Sequence, residues 1–162
     1  MATIVVEDGT IVSGANSYVS EADLTTYATD RGVTLSTSTA VLLILAMDYV
    51  ESLDFIGYQY TEDQALSWPR TEAKKDGIYW YDSNEIPQKL IDGLCEVALA
   101  IDAGNSPADN LERATKREKV GDLEVEYMDS ANSSVIVRKI NNKLKDLLVN
   151  GLAGASFIVG KA

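Results

Sequence analysis

The chain has 162 residues, 46% apolar and 24% charged, with 25 acidic against 14 basic residues and a net charge of −11. That composition suits one globular domain with a proper core, while the charge repels phosphate backbones on average. There is no histidine and one cysteine, Cys95, which removes the commonest general base and metal ligand and makes a structural zinc site within one chain very hard to build.

No segment reaches the roughly 18 apolar residues of a membrane-spanning helix. The opening MATIVVEDG lacks the basic start and long apolar stretch of a secretory signal. A lone cysteine fits a reducing compartment or indifference to redox state.

In chain order, TIVVEDGTIVSG sets two β-branched runs around Asp8-Gly9. An Asp-Gly pair supplies the positive φ angles of a tight turn, so strands are predicted near Ile4–Val6 and Thr10–Val12. An isolated hairpin is marginal in water and must lie on something, its own helices or a neighbouring subunit. Ser20 and Asp23 have capping-box spacing, which starts a helix near Ser20; Gly32 ends it. Ser38 to Leu53 is apolar nearly all round, the pattern of a central helix buried on every side. A short helix is predicted from Thr61, with Gln64 at the capping-box position, stopped at Trp68 by Pro69.

Next comes Gly77 to Asn84, a projecting loop that carries Tyr79, Trp80 and Tyr81. Pro87 then opens a helix. Its stripe is Leu90, Ile91, Leu94, Cys95, Ala98 and Ile101, and it ends at Gly104. Cys95 on that stripe reads as a small buried hydrophobe. Arg113, Lys116, Arg117 and Lys119 form a basic cluster. Val120, Leu123, Val125 and Tyr127 show strand-like spacing around Gly121-Asp122. A last helix puts Ile136, Ile140, Leu144, Leu147 and Leu148 on one face, with Arg138, Lys139, Lys143 and Lys145 around the other. The tail ASFIVGKA, with Phe157 and Ile158, reads as a short strand or an arm.

The fold class is therefore mainly α: a bundle of about four helices, an N-terminal β-hairpin and one or two further short strands. Residues 1–162 read as a single domain, with 1–14 as a hairpin arm and 153–162 as a C-terminal arm.

Chemistry is sparse. Acid pairs such as Glu124/Glu126 and Asp82/Glu85 are expected by chance in so acidic a chain. GANSY and GDLE lack the glycine spacing and Lys-Ser/Thr of a phosphate loop, and no nucleophile motif is present. No catalytic residue, cofactor or metal is predicted. Lys74, Lys75, Tyr79, Trp80 and Tyr81 combine charge and aromatic faces, which is how single strands are held. The same aromatics also suit a protein contact, because they give large area at low entropy cost. Trp68 reads instead as a plug at the base of the bundle.

The order of motifs VVEDGTIVSGANSYVSEADLTTYATDRG, QALSWPRT, DGIYW, IPQKLIDGLCEVALAI and KREKVGDLEVEY resembles a tailed-bacteriophage family. Its members are described as DnaT-like single-stranded-DNA-binding proteins or as head–tail connector (adaptor, head-completion) proteins. The likeness runs from Val5 to about Tyr127, and Ala-Leu-x-Trp-Pro-Arg followed by Ile-Pro is its most specific part. The connector resemblance implies a ring, typically a dodecamer, between the portal protein and a tail or stopper protein. It implies a small helical bundle with arms that reach neighbours, located at the head–tail junction of the virion and made in the bacterial host cytoplasm. It carries no catalytic residues over. On that reading Tyr79, Trp80 and Tyr81 form a contact patch. Arg113, Lys116, Arg117 and Lys119 face an acidic partner or the passing genomic duplex, or else form a solvated helix face. Phe157 and Ile158 sit on the C-terminal arm. From charge alone, an acidic channel wall would let DNA slide without sticking.

Overall fold

A computed structural model describes residues 3–105, 118–120, 123–125 and 131–149, with side chains placed over 3–105 and 138–149. Four α-helices, α1 (Glu21–Thr29), α2 (Thr39–Glu51), α3 (Gln88–Asp102) and α4 (Ala131–Leu144), carry the fold. Three antiparallel strand pairs accompany them: β1 (Tyr58–Gln59) with β2 (Arg70–Thr71), β3 (Lys74–Lys75) with β4 (Tyr79–Trp80), and β5 (Glu118–Val120) with β6 (Leu123–Val125). The fold is mainly α, as the periodicity predicts.

Ser20 caps α1: its hydroxyl accepts the Asp23 N–H at 3.1 Å and donates to the Asp23 carboxylate at 2.6 Å, which satisfies a donor that the first turn leaves free. Beyond Thr29, Gly32 takes φ +68° and the Val33 N–H returns to the Ala28 carbonyl at 3.0 Å. That closes the C-terminus. Helix α3 starts after Pro87 and stops before Gly104, at φ +81°.

The core lies between α2 and α3, closed by α4. Leu42, Leu43, Ala46, Met47 and Val50 of α2 are buried with Leu90, Leu94, Cys95, Val97 and Ala98 of α3 and Ile140 and Leu144 of α4. Gly93 lets α4 approach α3 closely, since a Cβ there would sit 2.4 Å from Leu144 Cδ2. Cys95 is buried, as its place on the stripe predicts. Two ion pairs fasten this layer at its surface, Lys143–Asp92 at 2.7 Å and Lys89–Asp146 at 2.5 Å.

Three sequence expectations change. Helix α2 is not buried on every side, because Val41 and Leu45 remain 44% and 46% exposed. Helices α1 and α3 pack against α2 on its other faces.

At the N-terminus the chain does turn at Gly9, φ +101°, yet residues 4–6 do not pair with 10–12. Val6 instead bridges Ser17 in parallel. The reason is Glu7. Its carboxylate accepts the N–H groups of Gly9, Ile11 and Val12 at 2.8, 3.0 and 2.8 Å, which takes up donors a hairpin ladder would use. Glu7 is buried, and Ile4 and Val12 pack on the core, so residues 3–17 lie on the subunit itself.

Third, no helix forms at residues 61–68. The predicted capping bond is present, from the Thr61 N–H to Gln64 Oε1 at 2.9 Å. The buried Gln64 amide then donates to the Leu66 and Pro69 carbonyls at 2.7 and 3.0 Å. One side chain thus organises a loop by bonds a helix would have made internally.

Asp102, the last residue of α3, ties that helix to the start of α2. Its carboxylate accepts the Ser36 N–H at 3.0 Å, the Ser36 hydroxyl at 2.9 Å and the Thr37 N–H at 2.8 Å. These bonds, led by the Ser36 N–H, hold its carboxyl down at about 2, against an ordinary 3.8. A depressed carboxylate stabilises the fold above the ordinary value and loses that contribution as pH falls through the folded one. The melting-temperature gap between the native chain and Asp102→Ala is therefore expected to close as pH drops from about 4 to about 2. A gap that persists at pH 2 contradicts this role for the carboxylate.

Candidate functional site

The stretch from Trp68 to Leu90 is built outward from a buried anchor. Trp68 is fully buried, edge-on to Phe55 at 6.1 Å and to Tyr81 at 5.5 Å. Its backbone N–H donates to the Tyr18 hydroxyl at 3.0 Å, which in turn donates to Glu51 at 2.5 Å. Burial, with Glu51 beside it, raises the Tyr18 hydroxyl and keeps it protonated. Next to it, Arg70 donates to the carbonyls of Ile56 and Gly57, each at 2.7 Å, and of Ser67 at 3.1 Å. Its guanidinium is thus committed to backbone, and it pins the loops that hold Trp68.

From this base the β3–β4 hairpin projects. The Tyr81 N–H donates to the carbonyl of buried Ala73 at 3.0 Å, Lys75 faces Tyr79 and Lys74 faces Trp80. The turn is Asp76-Gly77, both left-handed at φ +52° and +72°, the conformation an Asp-Gly pair supports. Ile78, Tyr79 and Trp80 are 71%, 69% and 60% exposed. The Lys74 ammonium lies 4.6 Å from the centre of the Trp80 ring, a cation–π contact that holds the indole flat beside the charge. Lys89, in the first turn of α3, reaches Asp76 at 4.0 Å and steadies the turn.

Tyr79 and Trp80 therefore stand where the sequence places a contact patch, but Tyr81 does not. It is buried, because the chain leaves the hairpin ladder after Trp80 and turns the Tyr81 ring back onto Trp68. Ile78 joins the patch in its place; the loop reading overlooked it. Trp68 is the plug the sequence predicts. Arg113, Lys116, Arg117, Phe157 and Ile158 lie outside the described residues. Lys119 lies in β5, which pairs with β6 as the spacing around residues 121 and 122 predicts.

The electrostatics of the patch are mixed. Lys74 and Lys75 are exposed, and so are Glu72, Asp76 and Asp82, with Glu85 half-buried. A second surface feature is an open groove of about 590 Å³ whose lining includes Leu53, Phe55, Tyr58, Arg70 and Val149. Among the described residues, no group of three or more His, Cys, Asp or Glu side chains could hold a metal ion, and no helix is long and apolar enough to cross a membrane.

A family model described as "Putative DnaT-like ssDNA binding protein" matches residues 2–161. The chain belongs to that family. No curated protein and no solved structure matches it. Family membership thus extends over the anchor, the hairpin and all four helices.

Proposed function

We propose that the chain is a structural virion protein, a head-to-tail adaptor that assembles as a ring between portal and tail and lines the DNA channel. The observation that carries this reading is the β3–β4 hairpin: three large apolar side chains held in water on a braced base. Rigid exposed aromatics of this kind anchor protein interfaces. The resemblance of the motif order to that of phage connector proteins supports the same reading. So does the net charge of −11, which suits a wall past which duplex DNA slides. Its partners are then the portal, a tail or stopper protein, further copies of itself, and passing duplex without sequence recognition.

A second reading is a single-stranded-DNA-binding module. The family description and the Lys74–Trp80 stack favour it, since stacked aromatics beside basic groups hold single strands. Against it stands the local charge, with four acids and two lysines between residues 72 and 85. Single-strand affinity is dominated by neutralised phosphates. Fluorescence anisotropy with a labelled oligonucleotide is expected to show no submicromolar binding near physiological salt. Tight binding that weakens steeply with salt would replace the adaptor with this second reading.

A further inference from the structure

Val41, Leu45, Asp48 and Ser52 are all exposed. They recur at helical spacing, so they form one outward strip along α2 that ends at its C-cap, Ser52. Its far end leaves the large apolar side chains of Val41 and Leu45 in water, and its one charged residue is Asp48. From Val41 to Ser52 the strip is about 16 Å long at the helical rise.

After α4 the chain returns to the C-cap end of this strip. Leu148 bridges Phe55 in antiparallel sense, the Ile56 N–H donates to the Leu147 carbonyl at 2.9 Å, and the Val149 N–H donates to the Asp54 carbonyl at 3.0 Å. Residues 147 to 149 thus run backwards along residues 56 to 54, and at Val149 the chain heads toward Leu53 and Ser52. Val149 and Leu53 line the same open groove. Next in sequence comes NGLAGASFIVGKA, residues 150–162, with Leu152, Phe157, Ile158 and Val159 and a single charged side chain, Lys161. Extended chain covers about 3.3 Å per residue, so the nine residues from 150 to 158 can reach about 30 Å, past Val41 of the same subunit. The longest other stretch outside the described residues, 106–117, holds five charged side chains and one large apolar one, Leu111, and suits an apolar strip poorly.

We propose that the segment after Val149 folds back along the outer strip of α2 in its own chain, with Phe157, Ile158 and Val159 covering Leu45 and Val41. The occupant is the chain's own segment because the antiparallel run at 147–149 delivers it to the end of the strip. A tether this short also keeps it at about millimolar effective concentration, which favours its own subunit over another copy at micromolar chain. The contact belongs to the free chain and does not depend on the adaptor reading. It withdraws the apolar strip from other chains until the segment lifts away.

Thiol labelling of the full chain tests the contact, with Asp48→Cys as the reporter on the strip. Cys95 is buried, and burial pushes its thiol up to about 12, so it stays silent toward a maleimide while the fold is intact and reports unfolding if it reacts. Adding Phe157→Ser and Ile158→Ser is expected to speed labelling at position 48 about fivefold, equally at about 1 μM and about 100 μM chain. Equal rates with and without these two substitutions overturn the contact. A difference that appears only at the higher concentration places another copy's segment on the strip and overturns it too. The reverse reporter, Ser156→Cys, is expected to label about fivefold faster when Val41→Ser and Leu45→Ser are added; an unchanged rate also overturns the contact. Neither arm reads ring formation or portal binding, so loss of this contact and loss of the adaptor reading are told apart.

Discussion

Replacing Trp68 by alanine is expected to cost about 3–5 kcal/mol of stability, the range for deleting a fully buried large aromatic. The cost has identifiable parts. The indole is fully buried and makes edge contacts with Phe55 and Tyr81, and such pairs contribute roughly 0.5–1.5 kcal/mol each beyond their area. The cavity lies where α2's exit loop, the β2 segment and the hairpin base meet, and Arg70 holds the surrounding carbonyls in place, so collapse onto the void is limited. Against a total stability of about 5–15 kcal/mol this is a large loss. Urea unfolding should show a lower midpoint with an unchanged slope. A loss below about 1 kcal/mol would mean that the site relaxes freely, against the anchor role. Trp80→Ala is the matched control: Trp80 is 60% exposed, so its loss should leave the melting temperature within a few degrees, as surface changes do, while weakening assembly.

The second large effect belongs to Glu7. Glu7→Ala removes the acceptor of three backbone N–H groups in a buried setting. Buried donors left without partners cost about 1–3 kcal/mol each. Water can reach some of them, so a net loss of about 2–4 kcal/mol is expected. The damage should be local. Gly9 sits against the Asn84 backbone so closely that a Cβ would come 1.9 Å from its carbonyl oxygen, so the N-terminal loop is seated on the segment that leaves the hairpin. Hydrogen exchange should quicken at Glu7, Asn16 and Ser17, whose amides bond across this loop, and stay slow through α2 and α3. Uniform exchange in both regions would show that Glu7 does not organise the N-terminus.

The helices were readable from the sequence because their determinants are local. Ser20, Gly32, Pro87 and Gly104 mark ends by backbone chemistry, and Leu90, Leu94 and Ala98 recur at helical spacing. The burial of Trp68 was readable too. What was not readable depends on side chains that compete for backbone donors at a distance. Asp-Gly occurs both at residues 8 and 9 and at residues 76 and 77, and both pairs turn the chain. Only the second makes a hairpin, since Glu7 takes the donors beside the first. The same rule applied to KKDGIYW would have found β3 and β4; the burial of Tyr81 follows from its contact with Trp68, which is distant in sequence. Gln64 misled in the same way: the capping spacing was real and the helix was not. The bare face of α2 could not be read, because composition does not say how many sides of an apolar helix its neighbours cover.

The most direct test of the adaptor reading is the mass of the chain by light scattering, alone and with its purified cognate portal ring. The expected result is a complex with one copy of the chain for each portal subunit, weakened by Trp80→Ala. A chain that leaves the portal unbound at low and moderate salt, and instead forms a submicromolar complex with a single-stranded oligonucleotide, would contradict it.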